Sequence, residues 1–374
     1  MRITAAVMGK PDGLLMRRSI QLEEVELEGP REDEVLVRIT SCGVCGTDRG
    51  CIHGLEPYPA PGVLGHEGAG TVEAKGRLVD NVRVGDRVMI GFPFCGTCRS
   101  CRRGEMRYCT HGKTLNFSGF RCDGSSPMAR PDGENLAARF FQQSSWATHT
   151  VALGRQVVKV PDGIDADLMG PLGCSISTGA GTILNELRPR PDSSIAIFGA
   201  GSVGLAAVMA ARLSPATTII VIDRNQARLE LARELGATHT IAGDHPVEEI
   251  QNITNCALDY AVEATNGANM VADAVQALGI CGVCAVVGGA KASARINVLH
   301  EDLLLSGKTV RGIMGGGGIT PDFHLALMQL QAQGRFPLER LVRRYPFTEV
   351  NQAIDDSDSG EAIKPILMME PAAA

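Results

Sequence analysis

Between Ile3 and about Val160, short β-branched and apolar runs such as Glu34 to Thr40 and Arg87 to Ile90 alternate with Gly, Pro and Asp punctuation. Runs bounded by turn formers predict strands, so this half is expected to be mainly β. The texture changes near Ser177. From there apolar strand, glycine turn and amphipathic helix succeed one another, the pattern of a parallel sheet covered by helices. Ser194 to Phe198 predicts a buried strand, Gly201 to Leu213 a helix and Thr217 to Ile222 the next strand. Further strands are expected at Leu258 to Val262, Val283 to Val287 and Thr309 to Ile313, with a helix around Asn269 to Leu278. With these five, a six-strand doubly wound sheet is expected. A helical pattern over Asp322 to Gln333 and a closing helix and strand over Val350 to Met369 complete the chain.

A chain of 374 residues, 44% of them apolar, exceeds one comfortable hydrophobic core, and two domains are expected. A net charge of -6 without long runs of like charge argues against nucleic-acid and membrane-surface partners and favours small molecules. The richest apolar stretch, Ala277 to Ala290, is broken by glycines and falls short of the ~18 residues of a membrane span. The N-terminus lacks an export leader, so a cytoplasmic setting is expected. Most of the 12 cysteines stand at metal-ligand spacings, which is an intracellular usage.

Cys95, Cys98, Cys101 and Cys109 put four thiols within 15 residues, with Gly96 and Gly104 turning the backbone between them. That spacing suits one tetrahedral zinc ion. The opening triplet also resembles an iron–sulfur run, but there the fourth cysteine follows closely and precedes Pro, whereas Cys109 precedes Thr110. A dispersed set consists of Cys45, His66 and Cys174. A lone Cys or His is more often core or structural. Together, two thiolates and one imidazole are the ligand set of a zinc site whose fourth position stays open.

The run Gly199-Ala200-Gly201-Ser202-Val203-Gly204 sets a G-x-G-x-x-G motif at a predicted strand-to-helix turn, where glycines let a pyrophosphate approach the backbone. The helix start adds N–H groups and a positive dipole end. Asp223, 24 residues beyond Gly199, can accept from ribose hydroxyls and repel a 2'-phosphate, which favours NAD over NADP. Arg224 beside it is the counter-indication.

On these motifs, together with Cys45-Gly46-Thr47-Asp48, Gly65-His66-Glu67-Gly68-Ala69-Gly70 and Val84-Gly85-Asp86-Arg87-Val88, the chain resembles the zinc-dependent medium-chain alcohol dehydrogenases over essentially its full length. Leu172 to Gly181, Phe140 to Ser145 and Gly334 to Pro337 resemble the aryl or benzyl alcohol branch. The resemblance implies an α/β architecture: a mainly β, GroES-like catalytic domain over 1–175 carrying a zinc lobe at 95–109, an NAD-binding Rossmann domain over 176–313, and a return to the catalytic domain over 314–374. It implies two zinc ions per chain, NAD, hydride transfer between an alcohol and its carbonyl partner in a cleft between the domains, and a homodimer or homotetramer paired through Thr309 to Ile313.

By the same resemblance Thr47 takes the alcohol proton, Asp48 orients His66, Glu67 lies behind the metal, Arg228 reaches the adenosine ribose and Lys364 the pyrophosphate. Two positions depart from the pattern. Gly46 stands where many relatives carry a pyrophosphate-binding Arg or His, and Gly50 stands where some carry a relay histidine; His53 is a candidate substitute. Primary aromatic, allylic or terpenoid-like alcohols are the implied substrates. Cys45-Gly46-Thr47 keeps a polyol or amino-alcohol dehydrogenase open as an alternative, and a non-catalytic zinc and nucleotide-binding protein is the third reading. Cys281-x2-Cys284 leads into a predicted strand and is expected to be core packing. The long connection 111–143 is expected to border a binding or oligomer surface.

Overall fold

The structure, a computed structural model, describes residues 1–11, 17–243, 246–265, 267–289, 293–317 and 321–369. They fall into two compact units: 1–174 with 321–332 and 338–374, and 175–320 with 333–337.

The first unit is built on two sheets. Val342–Pro346, Lys364–Met368, Glu34–Gly43, Gly68–Lys75, Arg87–Ile90 and Val157–Lys159 lie side by side in the larger one, and His149–Leu153 also pairs with Glu34–Gly43. The smaller runs Gly62–Val63, Arg2–Met8, Ile20–Leu27, Met128–Ala129. The pattern predicts the strand Glu34–Gly43 only to Thr40; of its extra residues, Ser41 and Cys42 pair with both Gly68–Lys75 and Lys364–Met368, and Gly43 pairs with Lys364–Met368. Their neighbours make this strand the spine of the unit, and its end delivers Cys45. Val35, Val37, Ile39, Val72, Val88 and Trp146 fill the core between the layers at 2% exposure or less.

The second unit carries six parallel strands in the order His239–Ala242, Thr218–Asp223, Ser194–Phe198, Leu258–Glu263, Leu278–Val286, Thr309–Gly312. This is the Rossmann order, with helices such as Ser202–Leu213 and Gln226–Leu235 between strands. The sequence pattern missed His239–Ala242, whose burial is confined to Ile241 and gives no apolar run. It also started the strand at Val283 five residues late, because Gly279 and Gly282 interrupt the apolar run that begins at Leu278.

The return to the first unit begins at Pro321 and not after Ile313. The Ile313 N–H still bonds to the Val286 carbonyl at 2.9 Å, and the turn that follows closes on itself through Gly317 N–H to Met314 O at 3.1 Å. Cys284 is fully buried, as core packing requires, but Cys281 is exposed with φ +59°, so the pair does not share one environment. Among the described residues no helix is long and apolar enough to cross a membrane.

Candidate active site

Cys45 caps the helix Gly46–Ile52, directly after the spine strand. Asp48, at the third helical position, accepts the Cys45 N–H at 2.9 Å, the Gly65 N–H at 3.0 Å and His66 Nδ1 at 3.1 Å. One buried carboxylate thereby closes the helix start and fixes the imidazole, since an ionised carboxylate can only accept and so keeps the proton on Nδ1. The opposite nitrogen, Nε2, is buried without a hydrogen-bond partner among the described residues. Beside it stand the sulfurs of Cys45 and Cys174, 3.9 Å apart, and all three donor atoms lie within 4.8 Å of one another.

Two sulfurs so close cannot both ionise without a cation. Hydrogen bonding with Cys174 holds the Cys45 thiol well below its usual range, and Cys174 is correspondingly pushed well above. A buried polar atom lacking a partner, next to a thiol pair that needs positive charge, is what a zinc ion would relieve. The three residues fit the metal that their types suggest.

Glu67 and Lys364 are both buried, and the ammonium donates to Glu67 Oε2 at 2.9 Å and to the Val44 carbonyl at 3.0 Å. The resemblance implies Lys364 near a pyrophosphate; the structure places it at 1% exposure inside the first unit, with Glu67 and the backbone before Cys45 as acceptors. Gly43 makes the room: a Cβ there would lie 2.0 Å from Glu67 Oε2. Burial raises the Glu67 carboxyl and Lys364 pulls against it. Thr47 is half-buried in the first helical turn, and Gly46 is exposed. His53 reaches no donor of the trio; its Nε2 lies 2.8 Å from Asp358 Oδ2 on the half-exposed surface.

Aromatic rings surround the imidazole. Phe141 stacks on His66 with centroids 4.4 Å apart, Phe140 meets it edge-on at 5.3 Å, and Phe92 meets Phe141 at 5.1 Å. In sequence, Phe140 to Ser145 stand out only through the resemblance to the aryl or benzyl alcohol branch. No local signal assigns those rings a place, because the stack depends on where 140–142 folds back.

The four lobe cysteines also converge, with donor sulfurs within 4.8 Å of one another. Backbone N–H groups of Cys95, Thr97, Cys98 and Cys101 point at the sulfurs over 3.3 to 3.5 Å. Such bonds favour thiolate: those from Cys101 and Thr110 bring Cys98 down to about 5, while burial pushes Cys101 up to about 12. Mixed ionisation in a small cluster again fits a divalent cation. From the same lobe, buried Arg107 lays its guanidinium 4.0 Å over the Phe92 ring, a reach that the spacing of the cysteines did not disclose.

In the second unit the strand Ser194–Phe198 runs into Gly199, whose φ of +98° makes the turn, and the helix Ser202–Leu213 follows. Gly201 and Val203 are half-buried at its start. Gly204 permits close packing: a Cβ there would stand 1.8 Å from the Gly199 carbonyl. Replacing it by Ala is expected to cost about 1–3 kcal/mol of stability as an overpacked core site, measurable by a thermal melt. Asp223 ends the adjacent strand, half-exposed, its oxygens accepting the Ala200 N–H at 2.6 Å and the Asn225 N–H at 2.8 Å. Those bonds pin the carboxylate beside the glycine turn. Arg228 is half-buried in the first turn of Gln226–Leu235, and Arg224 is exposed.

Residues 31–162 match the alcohol dehydrogenase GroES-like domain, and residues 202–332 match the zinc-binding dehydrogenase domain. A geraniol dehydrogenase of Castellaniella defragrans is 39% identical over 353 residues, 93% of this chain and 94% of that one. The chain belongs to the zinc-dependent alcohol dehydrogenases. A class-3 alcohol dehydrogenase of Myxine glutinosa, 31% identical over 94% of this chain and 95% of its own, lies further off in sequence. The crystal structure of a benzyl alcohol dehydrogenase from Acinetobacter calcoaceticus superposes with a TM-score of 0.94 at 39% identity, covering 99% of this chain and 100% of that one. This alcohol dehydrogenase is accordingly an oxidoreductase with a GroES-like domain joined to a Rossmann-type domain.

Proposed function

We propose that the enzyme oxidises primary allylic and aromatic alcohols reversibly with NAD, that Cys45, His66 and Cys174 hold a catalytic zinc, and that Cys95, Cys98, Cys101 and Cys109 hold a second, structural one. The observation that carries this reading is the meeting of two sulfurs and the unpartnered Nε2 of His66 within 4.8 Å. When bound, zinc supplies Lewis-acid polarisation of an alcohol oxygen and NAD accepts the hydride.

The chain's own residues do the rest. Asp48 keeps the proton on His66 Nδ1 and leaves Nε2 as ligand. Thr47, one residue before Asp48, takes the alcohol proton on its hydroxyl. Glu67 and Lys364 form a neutral buried pair behind Cys45. Phe140 and Phe141 pack on His66, and Phe92 packs on Phe141, so the surroundings of the trio are aromatic and apolar, which suits an aryl or allylic carbon skeleton; the geraniol and benzyl alcohol dehydrogenases among the relatives support that choice. A polyol, which needs several hydrogen-bond partners, finds few in such a lining. Benzyl alcohol, cinnamyl alcohol and geraniol should give NADH at least about tenfold faster than sorbitol or threonine at equal concentration, a difference of about 1.4 kcal/mol in barrier. The reverse order would defeat the substrate assignment.

NAD is bound, in this reading, by Gly199, Gly201, Val203 and Gly204 at the helix start, with Asp223 and Arg228 at the ribose. Asp223→Ser is expected to raise the kcat/KM ratio of NADP to NAD by about a hundredfold, or ~2.7 kcal/mol; an unchanged ratio would remove Asp223 from the site. The enzyme is further read as a cytoplasmic homo-oligomer joined at the edge strand Thr309–Gly312. Ile280, Leu299, Leu304 and Leu305 are more than two-thirds exposed, or nearly so, close to that edge in sequence or pairing, and open strand edges with apolar neighbours favour pairing. Sedimentation equilibrium distinguishes dimer, tetramer and monomer.

A further inference from the structure

Residues 140–144 have a backbone that their sequence does not favour. Phe141, Gln142 and Ser144 hold φ of +49°, +54° and +51°, in the left-handed region where side chains with a Cβ are crowded. A segment of this kind persists only where its surroundings over-determine it.

The surroundings are polar and buried. The Arg139 guanidinium, 1% exposed, donates from Nε to Gln142 Oε1 at 2.9 Å and from Nη1 to the Val151 carbonyl at 2.7 Å, and its Nη2 lies 3.3 Å from Glu34 Oε1. Glu34 is gripped from its other side by Arg121, through Nε at 2.9 Å and Nη2 at 3.0 Å. Gln142 passes the hold on through its amide to the Leu115 carbonyl at 3.0 Å. Ser144 Oγ donates to the Val63 carbonyl at 2.7 Å and accepts the Phe140 N–H at 2.9 Å. Gln143 Nε2 donates to the His66 carbonyl at 3.0 Å. The product of this arrangement is the Phe141 ring, tilted only 23° from the imidazole it covers.

We propose that Arg139 is a positioning residue for the metal centre: by clamping Gln142 it keeps Phe141, Gln142 and Ser144 left-handed and so presses Phe141 flat against His66, fixing the plane in which Nε2 is presented. Asp48 fixes one nitrogen of the ring but leaves rotation about that contact open, and the stack closes it. The inference rests on the reading that Cys45, His66 and Cys174 bind a metal.

The test uses Co2+ titrated into the metal-depleted full-length enzyme, followed by the thiolate-to-cobalt absorption. The binding step that disappears in Cys174→Ala belongs to this site. Arg139→Lys and Gln142→Met are expected to weaken that step about tenfold or more, the scale on which ligand-orienting partners act, while the lobe step stays in place. In a Phe141→Leu background, where the stack is already gone, each should weaken it less than about twofold further. Should Arg139→Lys not fold, Gln142→Met decides alone. An unmoved step, or a loss that persists undiminished in the Phe141→Leu background, overturns the proposal. If the wild type has no step that Cys174→Ala removes, the metal reading itself falls and takes the inference with it.

Discussion

Cys174→Ala is expected to leave the purified enzyme with one zinc per chain in place of two and to lower its rate of NADH formation at least about a thousandfold, or ~4 kcal/mol in barrier. The reason is geometric. Cys174 supplies one of two sulfurs that stand 3.9 Å apart, and with it gone Cys45 and His66 alone cannot complete the donor set. The fold should survive, because Cys174 carries a small side chain and the strands around it are paired along their lengths independently of it. Zinc quantification, initial rates and a thermal melt on the same preparation separate the possibilities. Two zinc ions with full activity would remove Cys174 from the centre; an unfolded protein would make it structural.

The complementary variant, Cys101→Ser, should also lose one zinc per chain but with a different signature. The lobe 95–109 has almost no apolar interior, Arg107 and Cys109 being its buried members. Metal binding in such a segment supplies on the order of 10 kcal/mol of its folding free energy. Without the ion the segment should open, and trypsin should cut after the exposed Arg99, Arg102 and Arg103 at least about tenfold faster. Turnover should fall as well, because an opened lobe withdraws Arg107 from the Phe92 ring 4.0 Å away. Retention of both zinc ions and of protease resistance would show that the cluster does not need its third sulfur.

The amount that could be read from the sequence differed sharply between the two units. Strands with continuous apolar runs, such as Ser194–Phe198, were legible to the residue, since burial on both faces leaves no polar interruptions. His239–Ala242 was not, being an edge strand with one buried side chain. The lobe could be read because its four thiols are local. Cys45, His66 and Cys174 span most of the first unit, and only their combined ligand types pointed to one ion; what brings Cys45 and His66 together is the pairing of Glu34–Gly43 with Gly68–Lys75, a long-range contact that no local pattern encodes. The Lys364 partner was not legible either: the resemblance places this residue near a pyrophosphate, and the bond to Glu67 follows from the register that sets Ile366 opposite Gly43.

Asp48 joins two duties in one carboxylate, closing the start of a helix of seven residues and aiming the ring behind it. Fraying of so short a helix would be harmless elsewhere on the surface of a protein. Here every excursion of that first turn also frees the imidazole to swivel, so local melting and disarming of the catalyst are one event, and heat should silence the enzyme while most of its sheets are still standing.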